Sequence, residues 1–101
     1  MVRKFTNFSE FYPFYLAEHS NLVCRRLHFA GTWLVIAVVL IAWLRSEPLL
    51  LWLVPLFGYG FAWSGHFFFE HNRPATFQHP VYSLMGDWVM WKDIMVGKVK
   101  V

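Results

Sequence analysis

Residues 27–44 read LHFAGTWLVIAVVLIAWL and residues 48–69 read PLLLWLVPLFGYGFAWSGHFFF, with only Arg45-Ser46-Glu47 between them. Neither run holds a Lys, Arg, Asp or Glu. As helices rising about 1.5 Å per residue they reach ~27 Å and ~33 Å, which brackets the ~30 Å hydrocarbon core of a bilayer. The polar joint ends at Pro48, a residue suited to the first turn of a new helix. The pattern predicts a two-helix transmembrane hairpin.

Composition agrees. Hydrophobic residues make up 57% of the 101-residue chain and charged residues 15%, against about 25% charged in a soluble domain. The length suits one domain, residues 1–101, embedded in the membrane. Net charge is only 9 − 6 = +3 and scattered, so no basic stripe for a nucleic acid is expected. Cys24 is the single cysteine, which excludes an intrachain disulfide and any multi-thiolate metal site. The first 27 residues carry six charges and no continuous apolar stretch, so no cleaved signal peptide is expected. Lys and Arg number four before the hairpin, one in its loop and four after it. Because basic residues favour the cytoplasmic side, both termini are predicted to be cytoplasmic.

Flanking segments complete an all-α, integral membrane helical bundle. Asn7-Phe8-Ser9-Glu10 has capping-box spacing and predicts an N-terminal aromatic helix, with Pro13 as a kink or second start. After the breakers Asn72-Arg73-Pro74 and His79-Pro80, Val81, Leu84, Met85, Trp88, Val89 and Met95 recur at helical spacing. Ser83, Asp87 and Asp93 lie nearer the opposite face. That reads as a C-terminal amphipathic helix in the membrane interface.

Ionisable groups at membrane depth point to function, and here they are His19, His28, His66 and Glu70. A lone membrane histidine is more often a satisfied interhelical hydrogen bonder; the arrangement argues for more. His66 and Glu70 are i, i+4 and share a face with the small residues Gly58, Ala62 and Gly65, so both are predicted to look towards another helix. On one continuous helix His19 and His28 would lie on opposite faces, ~13 Å apart along the axis. A shared site therefore requires a break, which Ser20 or Asn21 can supply by capping a second helix over residues 21–44. Three imidazoles, or two with the Glu70 carboxylate, suit non-haem Fe(II) ahead of Zn, Mn or Cu when no thiolate takes part. His71 and His79 fall in the polar connection and read as surface or supporting histidines. Arg73 reads either as a carboxylate clamp or as a headgroup anchor.

Taken together, Glu18-His19-Ser20-Asn21, Cys24-Arg25-Arg26-Leu27-His28-Phe29, Gly65-His66-Phe67, Glu70 and Asn72-Arg73-Pro74-Ala75-Thr76-Phe77 resemble a family of small membrane proteins. That family includes the 2-hydroxy fatty acid dioxygenase of the eukaryotic endoplasmic reticulum. The likeness spans nearly the whole chain, and its compact form is similar to the bacterial branch, which implies an inner-membrane location. It implies an Fe(II)-dependent α-oxidation that uses O2 to shorten a 2-hydroxy fatty acid by one carbon, with His19, His28 and His66 as metal ligands. Glu70 and Arg73 are the expected catalytic assistants. Two alternatives stand beside it: a bis-histidine haem protein ligated by His28 and His66, and a structural membrane protein whose histidines only join helices. The oligomeric state is not legible.

Overall fold

Asn7 opens the first helix: its side chain accepts from the Glu10 N–H at 2.9 Å, and α1 runs Phe8–Ala17. The box is closed one residue further back than predicted, since the Glu10 carboxylate takes the Thr6 N–H at 3.1 Å and the Thr6 hydroxyl. Pro13 lies within α1 on its exposed side and does not end it. The computed structural model describes residues 5–101; Arg3 and Lys4, counted above in the N-terminal basic group, lie outside the described residues.

The chain turns at residues 18–21, and α2 runs Leu22–Leu44. Asn21 is its N-cap, accepting from Val23 N–H at 2.8 Å and Cys24 N–H at 3.3 Å. Because a capped start and a turn replace a continuous helix, His19 and His28 are freed from opposite faces. Past the Arg45–Glu47 joint, the second apolar run starts as a 3-10 turn, Pro48–Trp52, and becomes α3, Leu53–Gly65. It ends in a π-turn, His66–Glu70, where the sequence predicts one helix throughout. His71 closes that turn in the left-handed region, φ 57°. A short 3-10 turn, Ala75–Phe77, leads to α4, Pro80–Met95. The fold is all-helical, with no strand among the described residues.

Helices α2 and α3 are antiparallel neighbours, and glycines set their separation. A Cβ on Gly31 would stand 3.0 Å from the Phe57 carbonyl oxygen, and one on Gly65 would stand 2.9 Å from Cys24 Sγ. Both hairpin arms, Leu22–Leu44 and Pro48–Glu70, are long and apolar enough to cross a membrane. Their outer surfaces keep large apolar side chains in the open: Trp43 is 74% exposed, Leu49 79% and Trp52 77%. A water-soluble core helix would bury these.

α4 is turned in the same sense. Its inward residues are Ser83, Gly86, Met90 and Asp93, while Val81, Leu84, Met85, Trp88 and Met95 are exposed. The predicted faces are therefore present, with the polar one against the protein. Gly86 lies directly under Tyr15, whose ring would meet a Cβ there at 2.8 Å. Tyr15 donates to the Asp87 carboxylate, and Tyr12 donates to Asp93 at 2.8 Å. These bonds tie α1 to α4 and bring the corner at His19 over the hairpin.

Candidate metal centre

Phe11 and Tyr15 stand one turn apart on α1, His19 follows four residues later in the turn after it, and all three are buried. The Tyr15 ring stacks on His19 with centroids 4.0 Å apart. His28 lies nearly two turns inside α2, and His66 starts the π-turn. The three imidazoles meet: centroids are 4.4 Å apart for His19–His28, 4.4 Å for His19–His66 and 5.1 Å for His28–His66. Each ring is at most 5% exposed.

Their tautomers are fixed from behind. His19 Nδ1 faces the Tyr15 carbonyl at 2.6 Å, and His28 Nδ1 faces the Cys24 carbonyl at 2.9 Å. His66 Nδ1 faces Asn72 Oδ1 at 2.7 Å. The amide of Asn72 is oriented by its Nδ2, which donates to the Glu18 carbonyl and carboxylate, each at 3.1 Å. Carbonyl and amide oxygens only accept, so every Nδ1 carries the proton and every Nε2 is a bare lone pair. Yet His19 Nε2 and His28 Nε2 are only 3.0 Å apart. Two lone pairs at that distance repel unless a positive charge lies between or beside them. The donor set therefore fits a cation held by neutral imidazoles.

The structure thus brings together His19, His28 and His66, and adds Cys24. One ligand-type atom from each of these four residues lies within 4.8 Å of the others. The reading of the site as free of thiols is corrected here: Cys24 is fully buried, with Sγ 3.7 Å from His28 Nδ1. The signal was its i, i+4 spacing to His28, which puts both on one face of α2.

Glu70 and Arg73 are not brought to the imidazoles. Glu70 turns to the corner, where its carboxylate accepts from the Asn21 N–H and from Ser20 Oγ at 3.3 Å. The cause is the π-turn: it widens the helix, so the i, i+4 pair no longer superposes as on an α-helix. Arg73 is exposed, its guanidinium 5.3 Å over the Phe77 ring. His71 is exposed, and His79 packs among Phe5, Phe11 and Phe14. The three rings touch one another, which leaves no porphyrin-wide slot between His28 and His66 and weighs against the haem alternative.

Burial also sets the corner's protonation. Desolvation, reinforced by the two neighbouring imidazoles, holds His19 well below the ordinary histidine range. Its ring is therefore neutral, as a ligand must be.

Beside α2, α3 and α4, a cavity of about 280 Å³ starts at His28 and runs along the hairpin past Thr32 and Val35. Asp87 lines it too.

Residues 5–99 match the family described as 2-hydroxy-palmitic acid dioxygenase Mpo1-like, and the chain belongs to that family. No match was found among curated proteins or among solved structures.

Proposed function

We propose that this member of the Mpo1-like family is a membrane-embedded, Fe(II)-dependent oxygenase that converts a 2-hydroxy fatty acid to the acid one carbon shorter. The observation that carries the reading is the set of three Nδ1-protonated imidazoles, two of whose bare Nε2 atoms stand 3.0 Å apart. His19, His28 and His66 would hold the ion. Fe(II), when bound, supplies Lewis acidity toward the substrate's hydroxyl and carboxylate oxygens and the redox capacity that O2 requires. The balance closes without another reductant: R-CHOH-COOH and O2 give R-COOH, CO2 and H2O. Neither a nicotinamide nor 2-oxoglutarate is needed.

The surrounding residues have distinct tasks. Asn72 and the carbonyls of Tyr15 and Cys24 keep the ring protons on Nδ1. Glu70 acts as a positioning residue that pins the start of α2, and through it the spacing of His19 and His28. Arg73, exposed at the same end of the hairpin, or alternatively Arg26, captures the incoming carboxylate. Residues 1–101 form one membrane-embedded domain in a bacterial inner membrane with both termini cytoplasmic. The distribution of Arg25, Arg26, Arg73 and the C-terminal lysines about Arg45 supports that orientation.

The test is turnover. Iron-loaded protein is given a long-chain 2-hydroxy fatty acid and O2 with no cosubstrate. CO2 and the acid one carbon shorter are expected in equal amounts. No turnover at any chain length, with iron verified in place, would overturn the reading.

A further inference from the structure

The cavity beside the imidazoles has one polar end. His28, Thr32 and Val35 stand at i, i+4 and i+7 on a single face of α2, so its floor runs ~10 Å away from the centre toward the hairpin loop. Opposite them, Ala62, Gly58 and Val54 climb α3 in the reverse direction. The Thr32 hydroxyl is already spent on the His28 carbonyl at 2.9 Å, which leaves its methyl for the cavity. Asp87 belongs to the His28 end, because it is bonded to Tyr15, whose ring stacks on His19. The third wall is Leu84 and Trp88 of α4, 54% and 42% exposed, so it faces the surroundings of the hairpin. A chamber with His28 and Asp87 at one end, and a lining beyond that is apolar apart from the Tyr59 hydroxyl, matches an amphiphile with a small polar head and a long hydrocarbon tail.

We infer that this cavity is the acyl-tail site, with the substrate's C1 and C2 at His28 and its tail lying between α2 and α3, admitted from the lipid past Leu84 and Trp88. The inference rests on the proposed reaction for the identity of the head but not for the location of the tail. Gly58 sets the usable length. A Cβ there would make only ordinary contact with Val35, at 3.5 Å, so a larger side chain grows into the cavity and not into a helix backbone.

Two measurements test it. Gly58→Leu should keep its iron, because no histidine neighbour is touched. It should lower the ratio of long-chain to short-chain turnover by about tenfold or more, given what one or two methylenes are worth in a hydrophobic pocket. The second uses the unaltered chain and a long-chain fatty acid without the 2-hydroxyl, bearing a photoreactive diazirine near its methyl end. Label is expected on peptides containing Val35 or Val54, and a long-chain 2-hydroxy acid should compete it away where a short-chain one does not. Label confined to the outer residues Leu49 and Trp52, or an unchanged chain-length ratio in an iron-replete Gly58→Leu protein, would overturn the acyl-tail site while leaving the reaction standing. Competed labelling at Val35 or Val54 without turnover of any 2-hydroxy acid would do the reverse.

Discussion

Asn72 does for His66 what main-chain carbonyls do for the other two rings, and it is the one orienting group that a substitution can remove. Asn72→Ala should weaken iron binding about 10- to 100-fold, the usual loss when a ligand's outer partner is deleted, while Asn72→Asp, which still accepts from Nδ1, should restore most of it. Metal titration of the purified variants decides this. Equal affinity in parent and Asn72→Ala would mean that His66 is not oriented in this way. Cys24 Sγ approaches the His28 ring at Nδ1, at 3.7 Å, the atom bonded to the Cys24 carbonyl, so Cys24→Ser should keep its iron; loss of metal there would make the thiol a ligand. Asp87 gives a pH signature. Burial raises its carboxyl from 3.8 to about 6, so the folded state keeps a proton that the unfolded chain releases, and Asp87 adds stability as pH falls through about 6 toward 4. His19 acts in the opposite sense: its lowered pKa means stability is lost as pH falls through the unfolded value of 6.5. Asp87→Asn removes only the first effect. Between pH 7 and pH 5 the variant should therefore lose about 1 kcal/mol more than the parent, after a discount for partial exposure. Parallel denaturation profiles for the two proteins would refute it.

Among the elements, the hairpin depends on close approach at two glycines and not at a third. Gly31→Leu would press against the Phe57 carbonyl, a backbone atom that cannot give way, and should cost about 1–3 kcal/mol as an overpacked contact. Gly60→Ala meets nothing within 4 Å and should be neutral or stabilise by up to about 1 kcal/mol through helix propensity. Unfolding in detergent separates the two, and similar losses at both sites would contradict the packing described. The sequence made the hairpin legible because uncharged runs of this length have few other uses. It made the corner legible because Asn21 is a strong cap at the one place where two histidines needed a break. It did not make the π-turn legible. Nothing in His66-Phe67-Phe68-Phe69-Glu70 departs from an ordinary apolar helix, and the widening appears only when His71 closes the turn in the left-handed region. That turn decides the site. On a straight α-helix residues 66 and 72 would be about 240° apart, whereas here Asn72 returns beneath the His66 ring and Glu70 swings to the Asn21 N–H. Glu70→Gln should consequently act through the corner, lowering iron occupancy more than it changes the rate per bound iron.

For the molecule as a whole, a few polar side chains are turned inward: His19, His28, His66, Ser83 and Asp93 are buried. α4 sets Ser83, Gly86, Met90 and Asp93 against the protein and leaves Val81, Leu84 and Trp88 outside. Periodicity shows that two faces exist but not which one meets the protein. The long-range bonds Tyr12–Asp93 and Tyr15–Asp87 settle that, each spanning more than 70 positions of sequence. The same folding brings to one point three histidines that share no local motif, so their convergence was legible only once a break at residues 20–21 was assumed and the family likeness was added. Orientation has its own check: a reporter fused at Val101 that is active only in the periplasm should stay silent. The central claim is that His19, His28 and His66 form an iron centre. Its most direct test is elemental analysis of detergent-purified protein by mass spectrometry, on the parent and on His19→Ala, His28→Ala, His66→Ala and His71→Ala. Stoichiometric iron in the parent and in His71→Ala, with most of it lost from each of the other three, is the predicted result. A parent without metal at stoichiometric level, or equal loss in all four variants, would contradict it.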